Sequence, residues 1–187
     1  MLLNNDTEIL SGDWLEAMLE QAQHPAVGAV GARLLYGDGT IQHAGVVIGL
    51  GALAGHVYRF AKPHDAGPGG ALFSIRNYSA VTAACLMVRR DAFEAVGGFD
   101  EAFAIEFNDV DFCLRLGAAG YRNVYVPHAE LVHFESKSRG IADSPAKRRR
   151  RLVERTLFTD RWHSDGFRDP YYNPNLTVID ESGTLAP

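Results

Sequence analysis

The chain has few cysteines, no long apolar run and no excess of basic residues. Only Cys85 and Cys113 occur in 187 residues, both within apolar segments. That excludes a disulfide framework and predicts reduced, buried thiols. No apolar run is long enough to span a bilayer and no signal-peptide pattern is visible, so the expected location is cytoplasmic. Lys and Arg number 18 against 23 Asp and Glu, a net charge of −5, which gives no basic footprint for nucleic acid. No internal repeat is present. The glycine-rich stretch at residues 50–55 lacks the spacing of a phosphate-binding loop and reads as structural. The remainder, 47% apolar and 22% charged, is ordinary for one soluble α/β domain.

Along the chain, Asp13-Trp14-Leu15-Glu16 matches a capping box, predicting a helix to about Gln23 with Trp14, Leu15, Met18, Leu19 and Ala22 on its apolar face. Residues 27–35 read as a strand, Tyr36-Gly37-Asp38-Gly39-Thr40 as a hairpin turn, and residues 41–48 as the return strand. Residues 62–70 read as a surface loop, 79–89 as a strand buried on both faces, and 91–96 as a short helix. Residues 123–127 and 130–134 read as two short strands. Ser144-Pro145 opens a last helix that carries Lys147 and four arginines, a solvated face that could also meet an anionic membrane surface.

The stretch with most chemical content is Phe107-Asn108-Asp109-Val110-Asp111-Phe112-Cys113-Leu114-Arg115. Val110, Cys113, Leu114 and Gly117 recur at helical spacing, Asn108 suits an N-cap, and Gly120 suits a stop. Asp109 and Asp111 then lie in the first turn, where the helix dipole favours negative charge. Such acids can cap the helix, and Asp111 can pair with Arg115 at i+4, or they can take a proton or hold a metal. Asn4-Asn5-Asp6 follows a strand directly, where a carboxylate can hold a hard cation or simply make a turn. His133 ends a strand-like run and could join Asp6 as a metal ligand or remain structural.

These residues together resemble family-2 inverting glycosyltransferases of the GT-A fold. Leu2-Leu3-Asn4-Asn5-Asp6-Thr7-Glu8 resembles their DxD metal motif, with Asn4 where the first Asp often stands. The stretch around Asp109 resembles their ED motif, with Asn108 replacing the acid. Val96-Gly97-Gly98-Phe99-Asp100-Glu101, Gly120-Tyr121-Arg122, Val124-Tyr125-Val126-Pro127 and His133 with Glu135-Ser136-Lys137-Ser138-Arg139-Gly140 follow in the same order. Within the family the chain resembles transferases of the rhamnosyl or O-antigen type.

The resemblance implies transfer of a sugar from a nucleotide-sugar donor to a saccharide or lipid-linked saccharide acceptor, with inversion, in cell-surface polysaccharide synthesis. It implies Asp109 as general base, Asp6 and His133 as ligands of a divalent cation (Mg²⁺ or Mn²⁺), with a contact to the diphosphate as the alternative for His133, and Asn108, Asp111 and Arg139 as substrate-binding residues. The expected architecture is a partial GT-A fold, a mixed sheet flanked by helices. Residues 1–168 would be its metal and acceptor side, without the N-terminal nucleotide-binding half and with an open sheet edge. Residues 169–187 would form an extended or partly disordered tail. The alternative is a non-catalytic remnant that binds carbohydrate or protein. No pattern specifies an oligomeric state.

Overall fold

The structure is a computed structural model and describes residues 1–134 and 144–186. Two short strands, β1 (Leu2–Leu3) and β2 (Thr7–Ile9), flank the turn at residues 4–6. Helix α1 (Trp14–Ala22) follows, then β3 (Val27–Leu35), β4 (Ile41–His43), β5 (Val46–Ile48), β6 (Ala54–His56), β7 (Arg76–Tyr78) and β8 (Cys85–Val88). Helices α2 (Arg90–Ala95) and α3 (Asn108–Ala118), strand β9 (Arg122–His133) and helix α4 (Pro145–Trp162) complete the order. The main sheet runs β1-β8-β3-β9-β2, with β4 added to β3 and β7 to β9. Only the central β3–β9 pair is parallel among these pairings, so the sheet is mixed, as expected for part of a GT-A domain.

All nine residues of β3 are buried, because helices cover both faces of the sheet. Val30 and Ala32 pack with Met18 and Ala22 of α1. Ala29, on the opposite face, packs with Phe112, Cys113 and Leu116 of α3 and with Phe158 of α4. Phe112 and Leu116 are completely buried, each stabilising the fold by roughly 1.5–3 kcal/mol. Both cysteines are free and buried. Burial pushes the Cys85 thiol up to about 12, which makes it unreactive at neutral pH.

Several expected elements are built differently. Asp13 makes no side-chain cap, and Leu15 and Leu19 of α1 are exposed, so its buried face is narrower than its apolar one. The return strand breaks at Gly45, whose φ of 116° turns the chain so that β5 pairs with β6 in a separate two-stranded sheet. The two short strands at residues 123–134 are one strand. Ala32 faces Val126 but Arg33 faces Glu130, so Pro127, His128 and Ala129 form a bulge inside β9. Among the described residues, those from 169 to 186 have no helix and no regular strand, yet they are hydrogen-bonded to the body. The Asp169 carboxylate accepts the Ile48 N–H, Gly51 N–H donates to the Val178 carbonyl, and Tyr58 N–H donates to that of Glu181. These bonds satisfy backbone groups of the segment by joining it to the rest of the fold.

Ser144 caps α4 as its sequence predicts, accepting the Lys147 N–H at 3.2 Å. At α3 the cap position is Phe107, in the left-handed region at φ 63°, and Asn108 is the first helical residue. The helix ends in a Schellman arrangement, with Tyr121 N–H bonded to Leu116 O and Gly120 N–H to Gly117 O. Gly117 itself is exposed, while Asp111, Phe112 and Leu116 join the buried set.

Candidate active site

Residues 79–84, expected as part of a strand, form a buried loop between β7 and β8. The approach is close: a side chain at Gly31 of β3 would meet the Val81 Cβ at 2.5 Å. This contact sets the height of the loop against the start of α3. Thr82 Oγ1 donates to Asp109 Oδ2 at 3.0 Å, and the Ala83 N–H donates to the same oxygen at 2.9 Å. Val110 N–H donates to Asp109 Oδ1 at 2.9 Å. A carboxylate offers about four acceptor positions, so three neutral donors orient the group and leave about one position for another proton. Asp109 faces a cavity of about 450 Å³ that Asn108, Thr82 and Ala83 also line.

Two residues further on, Asp111 has a different setting. It is fully buried and does not line the cavity. Arg115 Nε donates to Oδ2 at 2.8 Å, while Arg161 Nη1 and Trp162 Nε1 donate to Oδ1 at 2.8 and 3.0 Å. Arg115 also donates to the Val96 and Gly98 carbonyls, and Arg161 to Asp100. The Val96-Gly97-Gly98-Phe99-Asp100 motif is therefore part of the scaffold around α3. This corrects the substrate-binding expectation for Asp111, whose carboxylate is enclosed by its own cations. Arg139 lies outside the described residues.

The second cluster lies at the carboxyl ends of β1 and β9. Thr7 pairs with His133, and the Phe134 N–H donates to the Asp6 carbonyl, so the β2–β9 ladder brings Asp6 to the imidazole. Asp6 Oδ1 is 3.2 Å from His133 Nε2, and Asn4 Nδ2 is 3.1 Å from the same nitrogen. Gln42 sets the ring. Its Nε2 donates to the His133 carbonyl, which leaves Oε1 to accept from His133 Nδ1 at 2.7 Å. Nδ1 is thus the protonated nitrogen, and in a neutral ring Nε2 carries its lone pair beside the Asp6 oxygen. The Asn4 amide N–H can donate to that lone pair, and a proton or a cation could also join it to the Asp6 oxygen. A carboxylate and an imidazole at this spacing could hold one divalent cation. Among the described residues no group of three or more His, Cys, Asp or Glu gathers in metal-binding geometry. Such a pair fits a cation that keeps water and takes other oxygens from a substrate.

Asn4, Asp6, Gln42, His133 and Asp109 all line the one cavity. Its wall is completed by residues 105–107, held from behind by α4. The buried Glu154 carboxylate accepts the N–H groups of Ala104, Ile105 and Glu106. Burial works to raise its pKa, but these donors and Arg150 outweigh it and hold Glu154 below the usual range. Arg155, which also faces the cavity, pairs with Glu106 at 2.9 Å. The roles of Thr82, Ala83, Gln42 and Glu154 are absent from the sequence reading. Their partners lie 26 to 91 residues away, beyond any periodic signal.

Residues 53–163 match the model of glycosyl transferase family group 2. Over 95% of its length the chain is 51% identical to the uncharacterized protein y4gI of Sinorhizobium fredii, and 41% identical to the O-antigen biosynthesis protein RfbC of Myxococcus xanthus. It spans 20% and 14% of those two proteins. A 60-residue stretch, 32% of the chain, is 50% identical to an N-acetylglucosaminyl-diphospho-decaprenol L-rhamnosyltransferase of Mycobacterium tuberculosis, covering 20% of it. The match covers more than half of the chain, and the chain belongs to glycosyl transferase family group 2.

Proposed function

We propose that the chain forms the metal and acceptor side of a glycosyltransferase site. The reaction is transfer of a sugar, with inversion, from a nucleotide-sugar to a hydroxyl of a saccharide or lipid-linked saccharide. The names of the relatives support cell-surface polysaccharide as the product, with L-rhamnose a candidate sugar and a polyprenyl diphosphate saccharide a candidate acceptor. One observation carries the reading: Asp109 and the Asp6–His133 pair face the same cavity.

Direct displacement needs a base on the acceptor side and charge stabilisation on the leaving-group side. Asp109 takes the acceptor hydroxyl proton while that oxygen bonds to the anomeric carbon and the bond to the diphosphate oxygen breaks. A positioned base of this kind contributes about 10²–10⁴-fold. Thr82 and Ala83 keep the carboxylate aimed, and Asn108 contacts the substrate beside it. Asp6 and His133 would hold a divalent cation, Mg²⁺ or Mn²⁺, which would supply Lewis-acid stabilisation of the negative charge on the leaving-group side. No helix among the described residues is long and apolar enough to cross a membrane. A site on the cytoplasmic face of a membrane, reached by peripheral contact, suits a lipid-linked acceptor.

Calorimetric titration with a panel of nucleoside diphosphates, with and without Mn²⁺, tests this. Binding that needs the cation and disappears in Asp6→Ala is the expected result. A folded protein that binds none of them overturns the reading.

A further inference from the structure

Arg155 has no role in the sequence reading, yet it lines the cavity from helix α4. Its Nε donates to Glu106 Oε2 at 2.9 Å and its Nη2 to Glu106 Oε1 at 3.4 Å, a fork onto one carboxylate. Glu106 is itself fixed, because its N–H donates to the buried Glu154 carboxylate at 2.7 Å. Two neighbouring residues of α4 therefore hold the same wall residue, Glu154 by its backbone and Arg155 by its side chain.

Closing the wall does not account for this arginine. Glu154 already accepts the N–H groups of Ala104, Ile105 and Glu106, and the Arg155 side chain is 50% exposed, where an ion pair adds little stability. A guanidinium carries five N–H groups. The fork uses two, and the other three are bonded to no group among the described residues. Bonding to Glu106 raises the Arg155 pKa further, so the group is a cation at any working pH. The charge balance of the cavity gives that cation a use. Among the described lining residues, the carboxylates of Asp6, Glu106 and Asp109 stand against the guanidiniums of Arg59 and Arg155. An anionic group entering beside these carboxylates is repelled unless a cation receives it. Arg151 Nε also stands 3.6 Å from Glu106, so that carboxylate keeps a second cation when Arg155 shares its charge with a ligand.

We propose that Arg155 is a substrate-contacting residue whose guanidinium donates to a phosphate oxygen of a substrate in the cavity, with Glu106 as the positioning residue that keeps the guanidinium in place. This rests on the glycosyl-transfer reading above. Arginine suits the task because its planar array of donors matches phosphate oxygens and its charge is not lost by titration. The contact is made by the chain's own cation, so it operates with no metal bound. The phosphate belongs either to the nucleotide-sugar or to a phosphate-linked acceptor, and both present the same oxygens.

The test is calorimetric titration of the whole chain with inorganic pyrophosphate in EDTA, so that only the protein's own cations can bind it. Saturable binding is expected. Arg155→Gln should weaken it roughly tenfold, the loss of about one charge-assisted hydrogen bond. Arg155→Lys, which keeps the charge but not the fork, should fall between that variant and the native chain. Arg149→Gln, which removes an exposed arginine of the same helix outside the cavity lining, should leave the affinity unchanged. An unchanged denaturation midpoint in Arg155→Gln is expected, since the pair is half exposed. No binding of pyrophosphate, native affinity in Arg155→Gln, or an equal loss in Arg149→Gln overturns the proposal. Titrations with UDP, GDP and dTDP in Mn²⁺, and with N-acetylglucosamine 1-phosphate, identify the source of the phosphate. A loss in Arg155→Gln with the nucleotides assigns it to the donor, a loss with the sugar phosphate assigns it to the acceptor, and no loss with either overturns the proposal. Nucleotide binding that needs Mn²⁺ and Asp6 but not Arg155 overturns the proposal and leaves the transferase reading standing. Failure of every nucleoside diphosphate to bind the folded chain overturns both.

Discussion

Asp109 and Asp111 are two residues apart in the first turn of one helix, and their surroundings differ in kind. Among the described residues Asp109 accepts only from neutral groups, a hydroxyl and two backbone N–H groups, at the wall of a cavity. Asp111 is sealed off and accepts from two guanidinium groups and an indole. Neutral donors orient a carboxylate without cancelling its charge, so it can still receive a proton or face a substrate. Cationic donors in a closed site use the charge for structure. Position on the helix does not distinguish the two, since both lie where the dipole favours an anion. The difference lies in what the loop at residues 79–84 and helix α4 bring to each side.

The comparison can be broken most severely at Asp111. Asp111→Ala leaves Arg115 and Arg161 facing a vacated, partly buried site, and removing one partner of a buried pair costs about 3–5 kcal/mol. Chemical denaturation should show that loss. An unchanged midpoint would mean that the pair is not part of the scaffold.

Glu154 sharpens the same contrast from the other helix, because it too uses a buried carboxylate for structure. Glu154→Gln should cost about 1.5–3 kcal/mol at pH 7, the range for hydrogen bonds to a charged group. The sign with pH follows from its lowered pKa. The folded state binds this proton less readily than the unfolded one, so the stabilisation is complete above the ordinary value of 4.5 and is lost as pH falls through the lower folded value. The stability gap between the native protein and Glu154→Gln should therefore narrow on acidification below about 4.5. A gap that widens there would contradict the assignment.

A smaller effect is expected at Thr82, where the neutral side of the contrast is tested. Thr82→Val keeps the shape and the backbone N–H but removes the hydroxyl donor to Asp109. Turnover of a nucleotide-sugar should fall roughly tenfold, the size of one lost hydrogen bond to a charged acceptor, with little change in KM. A rise in KM alone would place Thr82 in binding rather than in aiming the base.

Much of this architecture is legible in the sequence where the signal is local. Strand β3 has the expected bounds, residues 27–35, because its apolar run is closed by Tyr36-Gly37-Asp38-Gly39-Thr40, where Asp38 bonds the Thr40 N–H and hydroxyl. Helix α4 starts where Ser144-Pro145 directs it. The i+4 pairing of Asp111 with Arg115 was also readable, but Arg161 and Trp162, 50 and 51 residues away, were not. The run Ala80-Val81-Thr82-Ala83-Ala84 reads as a strand because small apolar residues suit any buried backbone. Its actual form, a loop against Gly31, depends on a contact that no periodicity encodes.

The most direct measurement is made on Asp109→Asn, with sugar transfer and unfolding free energy determined on the same sample. The side chain keeps its size and can still accept from Thr82 and Ala83, but it can no longer take a proton. The account predicts that kcat falls about 10²–10⁴-fold while stability changes by less than about 1 kcal/mol. Transfer at the native rate by a folded Asp109→Asn protein would show that the base lies elsewhere and would contradict the account.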